Sequence, residues 1–291
     1  MGKVKKSKNG MFAETAAFLA EWWKVWQFHR IDALAAQMAY HLLCALVPGM
    51  LFIAMLLSWF GQKPEVLERV LTFLSSSMLP SVYELVEKEL LKFVGIPFSF
   101  SLAMISLLLM LWSGSHYVSA LESCLVPPER RSARPWWFSK LISAMVVLAF
   151  PIIVILGLNG ILFGKVVSQY VLYHTNLSFN SAELIEVMRP LLTAMFLFAV
   201  TWLLYRFAPG ARPTGRPAFP GAAVFVLTWL GITSLLRWVV VKVGGFGAVY
   251  GTLGVIIMLL SWLYLTSLLL LFGGTLNATL ESRAEKRSRT P

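Results

Sequence analysis

The sequence predicts an all-α polytopic membrane protein, and three observations carry that fold class. The 291-residue chain is 58% hydrophobic and only 13% charged, whereas charged residues make up about a quarter of an ordinary soluble domain. Its mean hydropathy is +0.72. Its charges are gathered between long uncharged runs, so the excess apolar surface has to face lipid.

Asp, Glu, Lys and Arg are absent from 33–62, 93–121, 141–164, 190–205, 217–236 and 243–280. A helix rises about 1.5 Å per residue and the hydrocarbon core is about 30 Å thick, so roughly 20 residues suffice to cross. Six transmembrane helices follow, at about 33–60, 97–120, 141–163, 188–208, 218–240 and 252–277. The fourth run has 16 residues between Arg189 and Arg206, and it spans only because both arginines can snorkel to the headgroups. These helices form one domain, 32–280, between a segment at 1–31 and a basic tail at 281–291.

Orientation follows from the basic residues. Counted by alternate sides of the six spans, 17 Lys and Arg lie with the two termini and 8 lie opposite, which places both ends in the cytoplasm. The net charge of +11 is thereby explained by topology and by attraction to anionic lipids, and a nucleic-acid partner is not expected. Residues 11–20 do not make a signal peptide, because Glu14 interrupts the run and Glu21, Trp22, Trp23 and Lys24 follow it in place of small residues. Instead Phe12, Ala16, Leu19, Trp23 and Trp26 recur at helical spacing, with Glu14, Glu21 and Lys24 turned away. This predicts an N-terminal amphipathic helix lying in the cytoplasmic interface.

Two segments on the other side are too long for turns. Val66, Val70, Leu71 and Leu74, then Val82, Leu85, Val86, Leu90 and Phe93, broken at Ser75–Ser77 and Pro80, predict an amphipathic helical hairpin over 64–94. Val166, Val167, Tyr170 and Val171 suggest a second external helix, and Asn180 with Glu183 three residues on is a helix-start signature.

Four stretches carry a resemblance. They are Arg30 to Met50 with Asp32, Ala36, Ala39, Tyr40 and Pro48; residues 112–134 with Trp112, Ser113, Ser115, Pro128, Arg130 and Arg131; Phe219-Pro220-Gly221-Ala222; and Tyr250 to Asn277 with Gly251, Gly254, Trp262, Tyr264 and Asn277. Their order and spacing resemble the YihY/BrkB membrane-protein family, long mislabelled as ribonuclease BN, over about 10–280. The resemblance implies a bacterial inner-membrane protein with six spans and no settled biochemical activity, with links in the family to serum resistance and envelope lipid export. The sequence departs from the family pattern at three places. It has Gly274-Thr275-Leu276 where an acidic residue usually precedes the final Asn, His41 where a second tyrosine is common, and His116 where an arginine is frequent.

Ionisable groups within the spans are the usual markers of a pathway, and few are present. Asp32 and Glu122 lie at the cytoplasmic ends of spans one and two, where Arg130 and Arg131 are candidate ion-pair partners. His41 and His116 lie at matching depths on antiparallel spans. With Tyr40, Cys44, Ser113, Ser115 and Tyr117 they define a candidate polar pocket, against the simpler reading of packed neutral histidines bonded to backbone carbonyls. Pro48 beside Gly49 is a candidate hinge in span one. Gly247, Gly251 and Gly254 offer a helix-packing surface.

No catalytic constellation emerges. The histidines at 29, 41, 116 and 174 are scattered, and Cys44 and Cys124 have neither disulfide nor zinc spacing. No metal, cofactor or enzymatic activity is therefore expected. The favoured function is transport or export of an amphiphilic, lipid-like envelope molecule. A non-transporting scaffold for envelope assembly is the alternative, and a membrane-bound ribonuclease is a distant third.

Overall fold

The computed structural model describes residues 8–59, 64–77, 80–125, 140, 143–145, 147, 181–207, 218–243 and 246–289, and among these residues there are no strands. Among the described residues there are eight long helices: α1 Lys8–His29, α2 Ile31–Trp59, α3 Pro64–Ser77, α4 Pro80–Val94, α5 Phe100–Leu125, α6 Ser181–Phe207, α7 Phe219–Val243 and α8 Phe246–Arg289. Among the described residues four segments are long and apolar enough to cross a membrane: Ile31–Trp59, Phe100–Cys124, Phe219–Val239 and Leu253–Ala284. They coincide with expected spans one, two, five and six.

The remaining two spans fare differently. The third, at 141–163, lies outside the described residues apart from 143–145 and 147, which are helical. The fourth falls within α6, whose apolar described segment, Ala194–Arg206, is shorter than a full span. α6 is also continuous from Ser181, so the helix start expected near Asn180 opens the span helix itself. The external helix expected near 166–171 lies outside the described residues.

α2 is the organising helix, packing against α5, α8 and α4. One end of the bundle is closed by Ile31, Ala35 and Met38 of α2 with Leu121 of α5, Ala222 and Phe225 of α7 and Leu271 of α8, all buried. At the other end α4 turns Val82, Val86 and Leu90 inward against α2 and α8, with Leu67, Val70, Leu71 and Leu74 of α3 beside them. The four-residue spacing of Val82, Val86 and Leu90 places them on one helix face, which explains why a short polar helix docks there.

The junction of α1 and α2 is a single residue. Arg30 adopts φ 46°; its amide donates to Gln27 O at 3.2 Å and its carbonyl accepts from Leu34 N at 3.1 Å. One left-handed residue thus ends one helix and starts the next, a conformation that is disfavoured for an L side chain. Asp32 follows in the first turn of α2, exposed and favourably placed at the positive end of the helix dipole.

α1 docks on the bundle, which corrects the face expected from its sequence. Trp22 donates through Nε1 to Thr275 Oγ1 at 3.1 Å and sets its ring edge-on to Phe272, with centroids 4.6 Å apart. Trp26 packs on the same phenylalanine at 6.1 Å. Trp23, expected in the stripe with Trp26, is 53% exposed, and Phe12 and Leu19 lie outside the described side chains. Glu21 faces α8, where it accepts from Arg283 Nε at 2.8 Å and Lys286 Nζ at 2.7 Å. The aromatic contacts with Phe272 rotate the helix away from a purely membrane-facing orientation, because adjacent Trp22 and Trp23 cannot share one face.

The hydrogen bonds from Lys286 and Arg283 hold the Glu21 carboxyl below the usual carboxylate range. A carboxyl lowered in the folded state adds stability that is full above its unfolded pKa and is lost as pH falls through the folded value. The contribution is about 1 kcal/mol or less, since the pair is partly exposed and screened. Acidification below the usual carboxylate range should therefore loosen α1, seen as increased proteolysis of the N-terminal segment. Glu21→Gln should be loosened already at neutral pH and should lose the acid dependence. Identical pH profiles for the two proteins would refute the clamp.

The bend expected at Pro48 leaves no break in the helical backbone. α2 runs unbroken through Pro48 and Gly49, and a Cβ on Gly49 would only reach ordinary contact with Met110 Sδ at 3.6 Å. The interruption falls in α8 at Gly251, with φ 56° and ψ −140°, a combination that glycine adopts because it lacks a Cβ. Among the described residues a Cβ there would meet nothing within 4 Å, and Gly251 supplies the bend. Gly254 is buried, whereas the surroundings of Gly247 are not described.

Candidate functional site

The α2–α5 seam brings the two membrane histidines together. Ser113 donates from its hydroxyl to the His41 carbonyl at 2.8 Å, a bond that draws the two helix backbones into register. The imidazoles of His41 and His116 then stack, with centroids 4.9 Å apart and planes 15° from parallel. Tyr40 packs on His41 at 5.5 Å and Trp112 on His116 at 5.9 Å. Both histidines are half-buried, while Tyr40 and Trp112 are 60% and 72% exposed. The cluster is therefore open at the side of the helix pair.

The seven residues expected to form a pocket divide into three groups. His41, His116 and Ser113 meet at the seam. Tyr40 and Cys44 lie on the exposed outer face of α2. Ser115 bonds back to Trp112 O at 2.8 Å, and Tyr117 turns inward against the hydrophobic core. Position along the helices gave the depths; side-chain direction, set by the 100° turn per residue, separates neighbours such as His116 and Tyr117.

A residue not singled out from the sequence completes the cluster. Lys140 Nζ lies 3.3 Å from His116 Nδ1 and 3.4 Å from Ser119 Oγ. In the sequence this lysine reads as one more topological charge at the edge of the third uncharged run. Glu122, whose expected partners Arg130 and Arg131 lie outside the described residues, acts electrostatically on Lys140. Among the described residues no group of three or more His, Cys, Asp or Glu is placed to hold a metal ion.

A second polar assembly joins α7 to α8. α7 begins after Ala218, which has no side chain able to cap it, and Pro220 contributes no N–H. Asn277 of α8 supplies the cap from outside: its Oδ1 accepts from Gly221 N at 2.7 Å, and its Nδ2 donates to Ala218 O at 3.2 Å. Beside it Gly221 and Gly273 bring the two backbones into direct contact, since a Cβ on either would clash with the carbonyl oxygen of the other. Tyr205 of α6 closes the group by donating to Leu270 O at 2.5 Å. Trp262 lies further along α8, half-buried, with its ring 6.3 Å from Trp229, and Tyr264 packs at the junction of both cores.

The chain that carries these two assemblies is matched over residues 22–291 by the family model for virulence factor BrkB. The chain belongs to the BrkB family. Among relatives of this BrkB-family protein, the putative ribonuclease-like protein YfkH of Bacillus subtilis is 24% identical over 94% of this chain and 99% of its own length. A UPF0761 membrane protein of Actinobacillus pleuropneumoniae is 24% identical over 88% of this chain and 91% of its own. A further UPF0761 membrane protein, of Alteromonas mediterranea, is 23% identical over 99% and 95%. No solved structure matches the BrkB-family chain.

Proposed function

We propose that this BrkB-family protein is a non-enzymatic transporter of the bacterial inner membrane, with both termini cytoplasmic, and that it moves an amphiphilic, lipid-like molecule along the α2–α5 seam. The observation supporting this reading is a continuous surface on α5. Ile105, Leu108, Leu109 and Trp112 are all exposed and share one helix face by their spacing, and the same face continues into half-buried His116 and its neighbour His41. The apolar part extends about 16 Å from Ile105 to His116 at helical rise, roughly half the hydrocarbon thickness. A surface of that form matches a molecule with a tail and a polar head. It also gives the head a polar foothold inside the membrane, where an unpaired polar group is costly.

The test is movement of a fluorescent phospholipid between leaflets of proteoliposomes, read by quenching with an impermeant reductant. The wild-type protein should speed movement over protein-free vesicles. His41→Ala and His116→Ala should each slow it about tenfold, the cost of losing one polar contact to the head. A wild-type rate equal to that of empty vesicles rejects transport of such a lipid.

Orientation has its own check. In a version lacking Cys44 and Cys124, Ser77→Cys should label with an impermeant thiol reagent in intact spheroplasts, and Ser288→Cys should not. The reverse pattern would invert the topology.

A further inference from the structure

We infer that the seam is selective for an amphiphile carrying an anionic, phosphate-type headgroup, and that Lys140 and His116 are the residues that bind it. This rests on the reading of the seam as a path for amphiphiles and adds the chemical class of the head.

The argument is one of donors and acceptors. The Lys140 ammonium can only donate, so at 3.3 Å it uses Nδ1 of His116 as an acceptor. That assigns the remaining proton of a neutral His116 to Nε2, leaving this nitrogen a donor. Ser119 accepts from Lys140 at 3.4 Å, while its own hydrogen is committed to Ser115 O at 2.8 Å. Ser113 likewise spends its hydrogen on the His41 carbonyl. The His116 Nδ1, Ser119 Oγ and His41 carbonyl acceptors are thus occupied from within, which leaves a third Lys140 N–H and the His116 Nε2–H as donors for a ligand.

A group able to satisfy these donors must be rich in acceptors and preferably negative, as a phosphate oxygen is. Among the described residues the titratable groups at the cluster are His41 and Tyr40 on α2, His116 and Glu122 on α5, and Lys140. Glu122 is the carboxylate among them. It lies six residues beyond His116, about 9 Å along the helix and further from the apolar stripe, and it acts electrostatically on Lys140. A head seated at His116 and Lys140 leaves its tail along Trp112, Leu109, Leu108 and Ile105, so the polar and apolar parts of the site are in the order an amphiphile needs.

The experiment measures binding to the full-length protein in detergent by native mass spectrometry, with three probes: dioctanoyl phosphatidic acid, dioctanoylglycerol with the same tails and no phosphate, and inorganic phosphate as competitor. The expected result is a preference of about tenfold or more for the phosphatidic acid over the glycerol, the effect of one charge-assisted hydrogen bond. Lys140→Gln and His116→Gln should abolish the preference, and Lys140→Arg should retain it. Equal retention of the two lipids by the wild-type protein overturns the inference, as does an undiminished preference in Lys140→Gln. Competition by inorganic phosphate without any difference between the lipids assigns the site to free phosphate and overturns the headgroup. These outcomes separate from the transport reading: lipid movement without headgroup preference refutes only the selectivity, and preference without movement refutes only the transport.

Discussion

Gly221→Ala should strongly destabilise the folded protein, whereas Gly231→Ala on the same helix should be tolerated. At Gly221 the added methyl would run into the Gly273 carbonyl oxygen and the Asn277 side chain; at Gly231 it meets nothing within 4 Å. The obstruction at Gly221 is backbone from another helix, which cannot rotate aside as a side-chain tip can. Relief requires separating α7 from α8 and breaking the Asn277 bonds, a cost of about 3 kcal/mol or more. Gly231→Ala should instead gain about 0.5–1 kcal/mol, because alanine loses less conformational entropy in a helix. Thermal unfolding in detergent, followed by near-ultraviolet circular dichroism, gives both values. Equal unfolding temperatures for the two variants would show that the close helix contact is not required. Gly273→Ala should behave as Gly221→Ala does, since its methyl would meet the Gly221 carbonyl and the Tyr205 hydroxyl.

Removing the cap should have the next largest effect. Asn277→Ala leaves the Gly221 amide buried without its acceptor and takes one donor from the Ala218 carbonyl. An unsatisfied buried group costs about 1–3 kcal/mol, and water reaches this position poorly because Asn277 is 7% exposed and Ala218 is 3% exposed. Asn277→Asp keeps an acceptor for Gly221 and adds negative charge at a helix N-terminus, but its ionised carboxylate cannot donate to Ala218. Aspartate should therefore be less harmful than alanine. The same unfolding measurement ranks the two, and an alanine variant as stable as the wild type would remove Asn277 from the structural account.

Much of the architecture was legible because hydrophobic burial in a membrane leaves a simple trace. Uncharged runs mark four helices long enough to cross, and the spacing of Val82, Val86 and Leu90 marks the inward face of α4. The motif residues also pointed to places that matter for packing: Gly221 and Asn277 were singled out separately, 56 positions apart, and the structure joins them in one bond. Neither the bond nor its purpose can be deduced from local pattern, because it repairs a helix start that Ala218 and Pro220 leave uncapped.

Rotation was the main illegible quantity. His41 and His116 have matching depths, yet depth is common to every residue at that level, and only the Ser113 bond and the close fit of α2 to α5 turn the two imidazoles toward each other. Tyr117, next in sequence to His116, is carried into the core by the same geometry. For α1, helical spacing in the sequence put Trp23 in the stripe with Trp26; Phe272, 250 residues from Trp22, decided in favour of Trp22. Lys140 escaped notice for a similar reason, since a lysine at the edge of an uncharged run usually serves only topology.

What the sequence by itself determined is the solvent of each segment: which stretches belong in lipid, which helices present an apolar face, and where a special backbone residue such as Gly251 is available. These properties are sums over local composition and period, so they survive without tertiary knowledge. The tertiary structure alone decided which faces meet, namely the His41–His116–Lys140 cluster, the docking of α1 and the cap given by Asn277 to α7. Each depends on a few directed contacts between residues distant in the chain, and a directional hydrogen bond or a backbone clash acts only once both partners have been brought within about 3 Å.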